Sequence, residues 1–405
     1  MAAEISFLPH ENFALNNLLL FGTLLLAGLL SGHVFNAVLR MPRIVGFVAI
    51  GMLLGPAGLN WLSDGMLTDA QVFVDIGFGL VLYELGNRLD LKWLSSDRWL
   101  LATGIAESVL AFICVYFALY LLDVRPIIAA LLAAMAISTS PAVVTQLTKE
   151  LRSEGLVTER ALCFTAMNNV IAFFVVALIL PAVHLEHRTA GMIGVLHPVY
   201  LLAGSALLGL VLSVVGIWLA TLLGKREGSH FTLVVSLVII AVGAADALNF
   251  SVLLTLLIFG ILTRNLDKGR ALMPTEFGRG GELFIVVLFV VFGARLRFDL
   301  SLGIAWMGLV LLIARFFGKL IGISLFSRTS TLGFSGAWNL NLVMQPLSGS
   351  ALIAILGMTQ NYPEVGQTLA AALMLALTVL ELASPIAAKW GLMRAGEVNP
   401  SRSAN

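Results

Sequence analysis

The sequence predicts an all-α polytopic membrane protein of about thirteen transmembrane helices. Three observations predict it. Hydrophobic residues make up 59% of the 405 residues and charged residues 12%, whereas a soluble domain carries roughly 25% charged residues. Long apolar runs, each close to the ~20 residues a spanning helix needs, are separated by short polar breaks. Lys and Arg collect on alternate breaks. This composition excludes a soluble globular protein, a disordered chain and a nucleic-acid binder.

The apolar runs lie at 13–31, 43–62, 69–88, 99–121, 125–147, 158–182, 197–223, 229–248, 250–264, 280–297, 303–326, 334–357 and 364–390. The second and ninth are short, rich in Gly or broken by polar residues. Residues 1–12 carry Glu4 and Glu11 but no Lys or Arg. A cleavable signal peptide needs a positive flank there, so the first run is expected to stay as a helix. With the N-terminus outside, the inside segments hold Arg40, Arg43, Arg88, Lys92, Arg98, Lys149, Arg152, Arg160, Lys225, Arg226, Arg264, Lys268, Arg270, Arg279, Arg328, Lys389, Arg394 and Arg402. The outside segments hold Arg125, Arg188, Arg295 and Arg297. A split of eighteen to four is the positive-inside pattern. It puts the N-terminus outside and the C-terminus in the cytoplasm, and the expected location is a bacterial inner membrane.

Residues 1–396 are expected to form a single transmembrane domain, with 397–405 a short polar cytoplasmic tail. There is no Gly-rich phosphate loop, no paired Cys or His cluster and no nucleotide fingerprint. No cofactor is expected, and neither is an enzyme. Cys114 and Cys163 both sit inside apolar runs and are expected to be inert buried thiols. A water-filled pore or an alternating-access carrier is left.

Two helices contain breaks where a span should be smooth. The fifth reads AAMAISTSPAVVTQL. Pro141 removes a backbone donor and drives the preceding residue out of α geometry, with Ser138, Thr139 and Ser140 beside it. The twelfth reads GFSGAWNLNLVMQPLSGSALIAIL, with Gln345 and Pro346 among Asn339, Asn341, Ser348 and Ser350. Broken helices at corresponding places of two repeats point to a carrier's binding site. A spacing of seven helices makes helices 8–13 an inverted repeat of helices 1–6. The fourth helix then pairs with the eleventh, and the sixth with the thirteenth.

The sixth helix carries Asn168 and Asn169 about eleven residues, or roughly 16 Å, from its cytoplasmic end. Adjacent amides at that depth need hydrogen-bond partners. Interhelical glue is their plain role. The eleventh helix carries Arg315 at the same depth. It needs a partner or an aqueous cavity. It is expected in the core close to the crossing and to Asn168 or Asn169, where the carbonyls and amides freed by the two breaks can accept from a guanidinium. If an acid holds it, Glu107 of the fourth helix comes first, and Glu381 of the thirteenth second. Lys319, one turn nearer the cytoplasm, is expected to snorkel.

MPRIVGFVAIGMLLGPAGLN, ISTSPAVVTQLTKEL, AMNNVIAFF, ARFFGKLIG and ELASPIAAKW resemble motifs of the monovalent cation:proton antiporter superfamily, in its second branch. The resemblance runs from about residue 20 to 396. It implies a homodimer in the lipid bilayer. One part, roughly helices 1–2 and 7–9, dimerises, and a mobile core, roughly helices 3–6 and 10–13, carries the crossing broken helices. It implies Na⁺ or K⁺ exchanged for protons by elevator-type alternating access. By motif, Thr139, Ser140 and Pro141 match the broken helix, Asn168 and Asn169 the paired polar residues, and Arg315 a basic residue before the second break. Family members place the ion-binding Asp at the position of Asn169. An amide has no proton site in the aqueous pH range. Three explanations stand: an engineered Asp-to-Asn variant, a carboxylate moved elsewhere, to Glu107 or Glu381, or a same-fold carrier without proton coupling. That last carrier would take an organic anion or small solute, or act as a cation uniporter.

Overall fold

The computed structural model describes residues 17–92, 97–186, 193–224, 227–268, 279–296, 302–329, 332–348 and 363–398. Among the described residues every regular element is a helix. In chain order these are α1 (Asn17–Ala37), α2 (Arg43–Leu54), α3 (Asp64–Asp69), α4 (Gln71–Arg88), α5 (Arg98–Tyr120), α6 (Pro126–Ile137), α7 (Pro141–Glu150), α8 (Leu156–Glu186), α9 (Ile193–Leu223), α10 (Glu227–Ala247), α11 (Val252–Leu266), α12 (Arg279–Arg295), α13 (Leu302–Leu325), α14 (Gly333–Val343) and α15 (Pro363–Arg394). Each of the thirteen expected helices has its counterpart. The third is α3 and α4 in succession, and the fifth is α6 and α7. The twelfth is α14, and its second half, with Ser350, lies outside the described residues. Among the described residues nine spans are long and apolar enough to cross a bilayer, and α2 and α11 are among the shorter apolar helices.

The packing is that of an inverted repeat. α4 packs on α11, and α12 packs on α2. Moving each partner by seven spans turns the first contact into the second. The same operation relates α6 on α8 to α14 on α15, α5 on α8 to α13 on α15, and α10 on α4 to α1 on α12. The fourth and eleventh spans map onto each other. Their helices, α5 and α13, form the most extensive helix pair in the molecule.

Contacts gather in two groups, α1–α4 with α9–α12, and α5–α8 with α13–α15. The third span, α4, packs most on α11 and α12 and also touches α7, the second half of the broken fifth span, while the tenth, α12, packs most on α2. The physical cause is close backbone approach at glycine. A Cβ on Gly86 would enter the backbone of α11 at Leu257, and one on Gly260 would enter α4 at Tyr83. The symmetry-related pair α2 and α12 meets the same way at Gly51 and Gly293. Small residues let membrane helices touch at the backbone, where packing drives association.

After α15 the chain turns back at Gly396, whose φ is 73°. Glu397 then caps the start of α8. Its carboxylate accepts from the backbone N–H of Val157 at 2.7 Å and of Thr158 at 2.8 Å, and from the Thr158 hydroxyl at 2.7 Å. The expected polar tail thus begins as part of the fold, and 399–405 lie outside the described residues.

Gly86→Val should force α4 off α11 and lower stability by about 1–3 kcal/mol, the usual cost of overpacking. Thermal melting of the detergent-purified protein reads this as a lower midpoint.

Candidate ion-binding site

The break in the fifth span is a short extended stretch between two half-helices. Ser138 ends α6 in extended geometry, with ψ of 143°. Ser140 begins α7, its hydroxyl accepting from the Val143 N–H at 3.4 Å. Pro141 takes the first helical position, where a missing N–H costs nothing. So Pro141 starts a second helix and does not merely kink the first. In the twelfth span α14 ends at Val343, and residues 345–348 have no regular structure. The two stretches touch. The Ser140 N–H donates to the Pro346 carbonyl at 2.9 Å. The Thr139 hydroxyl donates to the Met344 carbonyl at 3.3 Å.

Two helix C-termini therefore meet inside the molecule. Each presents carbonyls without intrahelical partners and the negative end of a helix dipole. Arg315 of α13 fills the space between them and is fully buried. Nε donates to Ala136 O at 2.8 Å and Nη2 to Ser138 O at 2.9 Å, both of the fifth span. Nη1 donates to Gln345 O at 2.7 Å and to Gln345 Oε1 at 3.2 Å. Nη2 also reaches Met344 O at 3.3 Å and Pro346 O at 3.4 Å. The Gln345 amide in turn donates to Asn341 O and Oδ1, each at 2.9 Å. The rigid fork of five donors suits this convergence of carbonyls.

Arg315 thus takes carbonyl partners, and the expected Glu107–Arg315 pair is not formed. Glu107 binds Lys319 instead. Gly322 lets α13 lie against the backbone of α5 at Glu107. That brings the Lys319 Nζ, one turn on from Arg315, onto Glu107 Oε1. Both side chains are fully buried. Nζ also donates to Ile137 O at 3.0 Å and to Thr139 Oγ1 at 3.2 Å. Lys319 does not snorkel. It lies on the same helix face as Arg315, as an i,i+4 spacing dictates, and that spacing was the signal for it in the sequence. Glu381 is buried on α15, but its Oε2 has no hydrogen-bond partner among the described residues. It is not a partner of Arg315.

The two amides divide their work. Asn168 Nδ2 donates to Glu107 Oε1 at 3.2 Å and to Thr139 Oγ1 at 3.3 Å, and its Oδ1 accepts from the Ser108 hydroxyl at 2.7 Å. Ser108 is a member the sequence reading missed. Asn169 Nδ2 donates to the Thr139 and Thr165 carbonyls, each at 2.8 Å. An aspartate at 169 would set a carboxylate against both carbonyls. The cluster joins Thr139, Ser140, Asn168, Asn169, Glu107, Lys319 and Arg315. It is closed to solvent, each side chain being buried.

A family model described as sodium/hydrogen exchanger, transmembrane, matches residues 21–390. The chain belongs to that family. The fold agrees with the family. A structure of the sodium proton antiporter MjNhaP1 from Methanocaldococcus jannaschii at pH 8 aligns with a TM-score of 0.69 at 16% identity. The alignment covers 94% of this chain and 98% of that one. An electron-microscopy structure of the same antiporter gives 0.69 at 17% identity, with the same coverage. Comparison with curated proteins gives no significant match. Family and fold are those of an integral membrane transporter and not of an enzyme.

Arg315→Ala should leave two helix ends facing one another without a cation. A loss of about 3–5 kcal/mol is expected, as for a broken buried pair. Arg315→Lys should recover part of it, since an ammonium cannot span both sets of carbonyls. Asn169→Asp should cost about 1–3 kcal/mol through lost donors against buried acceptors. Melting midpoints of the three variants check the order.

Proposed function

We propose that the protein exchanges a monovalent cation, Na⁺ or K⁺, for protons, by elevator-type alternating access. The observation that carries this reading is the pair of broken helices crossing at Arg315 beside a buried cluster of oxygens, amides and one ion pair. A carrier must offer polar groups at mid-membrane without leaving them open to both sides. The crossing does so with carbonyls from residues 136–138 and 344–346.

In this reading α5–α8 and α13–α15 are the moving body and α1–α4 and α9–α12 the scaffold, through which two copies dimerise. Several polar contacts span the two bodies. Lys149 Nζ pairs with Glu84 at 2.5 Å. The Glu150 carboxylate accepts from the Arg43 N–H at 3.0 and 3.1 Å and from Asn36 Nδ2 at 3.1 Å. Lys389 Nζ donates to the Arg40 carbonyl at 2.6 Å. By the charge alternation all of these lie at the cytoplasmic end. In this reading they latch that end, and the latch opens in each cycle.

The amide at Asn169 favours a second reading, a carrier of this fold without proton coupling. One assay separates the two. Purified protein in liposomes with an internal pH dye should move protons when a Na⁺ or K⁺ gradient is applied. Solute or cation flux with no proton movement would select the second reading. The latch has its own test, in a background with Cys114 and Cys163 replaced by alanine. Glu84→Cys with Lys149→Cys, joined by a short bifunctional reagent, should abolish flux, and cleaving the link should restore it. Full flux through the joined protein would exclude sliding of one body past the other.

A further inference from the structure

The amide at Asn169 leaves one carboxylate among the groups hydrogen-bonded at the crossing, that of Glu107. We propose that Glu107 is the residue that exchanges cation for proton, and that the Lys319 ammonium occupies the cation's place when none is bound. This rests on the cation/proton exchange proposed above.

The ammonium stands where oxygens from two different spans converge. Its neighbours are Glu107 Oε1, the Ile137 carbonyl at 3.0 Å and the Thr139 hydroxyl at 3.2 Å. A carboxylate, a carbonyl and a hydroxyl form the hard oxygen set that alkali-type cations take. Two of the three come from the broken stretch and its last helical turn, which the helix dipole makes negative. Asn168 is a positioning residue. It donates to Glu107 Oε1 at 3.2 Å and to Thr139 Oγ1 at 3.3 Å, so it orients two of the ligands at once.

The charged side chains acting on Glu107 are Lys319 and Arg315, both of α13. Toward it the break between α6 and α7 offers the uncharged Thr139, and α8 the uncharged Asn168. Arg315 is fully engaged by carbonyls and does not compete for the carboxylate. Glu381, the other buried acid of the moving body, makes no hydrogen bond to this oxygen set. The exchange then balances at Glu107 alone. The carboxylate holds one positive charge at a time. When a cation binds, the ammonium keeps its proton and gives up the carboxylate. When a proton arrives it forms an O–H bond with the carboxylate, and the cation leaves. One proton replaces one monovalent cation.

The test uses the full chain in liposomes, with Na⁺ and K⁺ gradients and a pH dye, together with melting in detergent with and without each salt. Wild-type protein without cation-driven proton movement would sink the exchange reading itself. With an active wild type, Glu107→Asp should retain exchange. Glu107→Gln combined with Lys319→Gln leaves no unpaired buried charge. It should fold, yet move no more protons than empty vesicles and lose the salt-dependent rise in melting temperature. Lys319→Gln alone removes the internal competitor, so half-saturation should fall to about a tenth of the wild-type cation concentration. Exchange surviving in the double variant would overturn the assignment of Glu107. An unchanged or higher half-saturation in Lys319→Gln would overturn the role of the ammonium.

Discussion

Two helix ends that stop in the middle of a membrane create a problem that the rest of the molecule is arranged around. Carbonyls at the ends of α6 and α14 have no helical partner and lie among buried side chains. Their dipoles point the same sign of charge at each other. Arg315 answers both faults at once, with donors to Ala136, Ser138, Met344, Gln345 and Pro346. Its position is set by α13, and α13 is set by its glycine-lined approach to α5. Lys319 follows one turn later and Glu107 faces it. The ion pair is thus a consequence of how the crossing is held.

The sequence made the spans legible because each has to cross the same thickness of hydrocarbon and alternate its flanking charge. It made the crossing legible because Pro141 and Pro346 interrupt apolar runs among hydroxyls and amides. Depth along a helix also came through, since rise per residue is fixed. Rotation about the helix axis did not. Arg315 and Glu107 lie at suitable depths to meet, yet the carbonyls freed by the two breaks bind the guanidinium and the acid does not. Lys319 was misread for a related reason. Snorkelling assumes a lipid-facing stem, whereas the spacing from Arg315 already turned it inward. The close pairs Gly86 with Gly260 and Gly51 with Gly293 also escaped the sequence, because they depend on which glycines face one another across helices distant in the chain.

The amide at 169 reads differently once its partners are known. The motif resemblance implies an aspartate there. Here it ties the carbonyl of Thr139 to the carbonyl of Thr165 through two N–H donors, each at 2.8 Å. It holds the extended stretch against α8, a task for which a carboxylate has the wrong polarity. The neighbouring Asn168 faces Glu107 and Thr139. One amide therefore braces the backbone and the other addresses the charged pair, a division that two identical letters conceal.

The docking of Glu397 onto α8 makes the end of the chain a structural member of the helix that bears both amides. Anything joined to the C-terminus pulls on that cap. A fluorescent or affinity fusion needs a slack spacer after Asn405, or it reports on a strained carrier. A chain cut before residue 397 exposes the Val157 and Thr158 donors to solvent and forfeits roughly 0.3–1 kcal/mol of charge–dipole stabilisation at that helix end. A soluble partner that seized the last residues would feel the same lever, and would act on the crossing without entering the membrane.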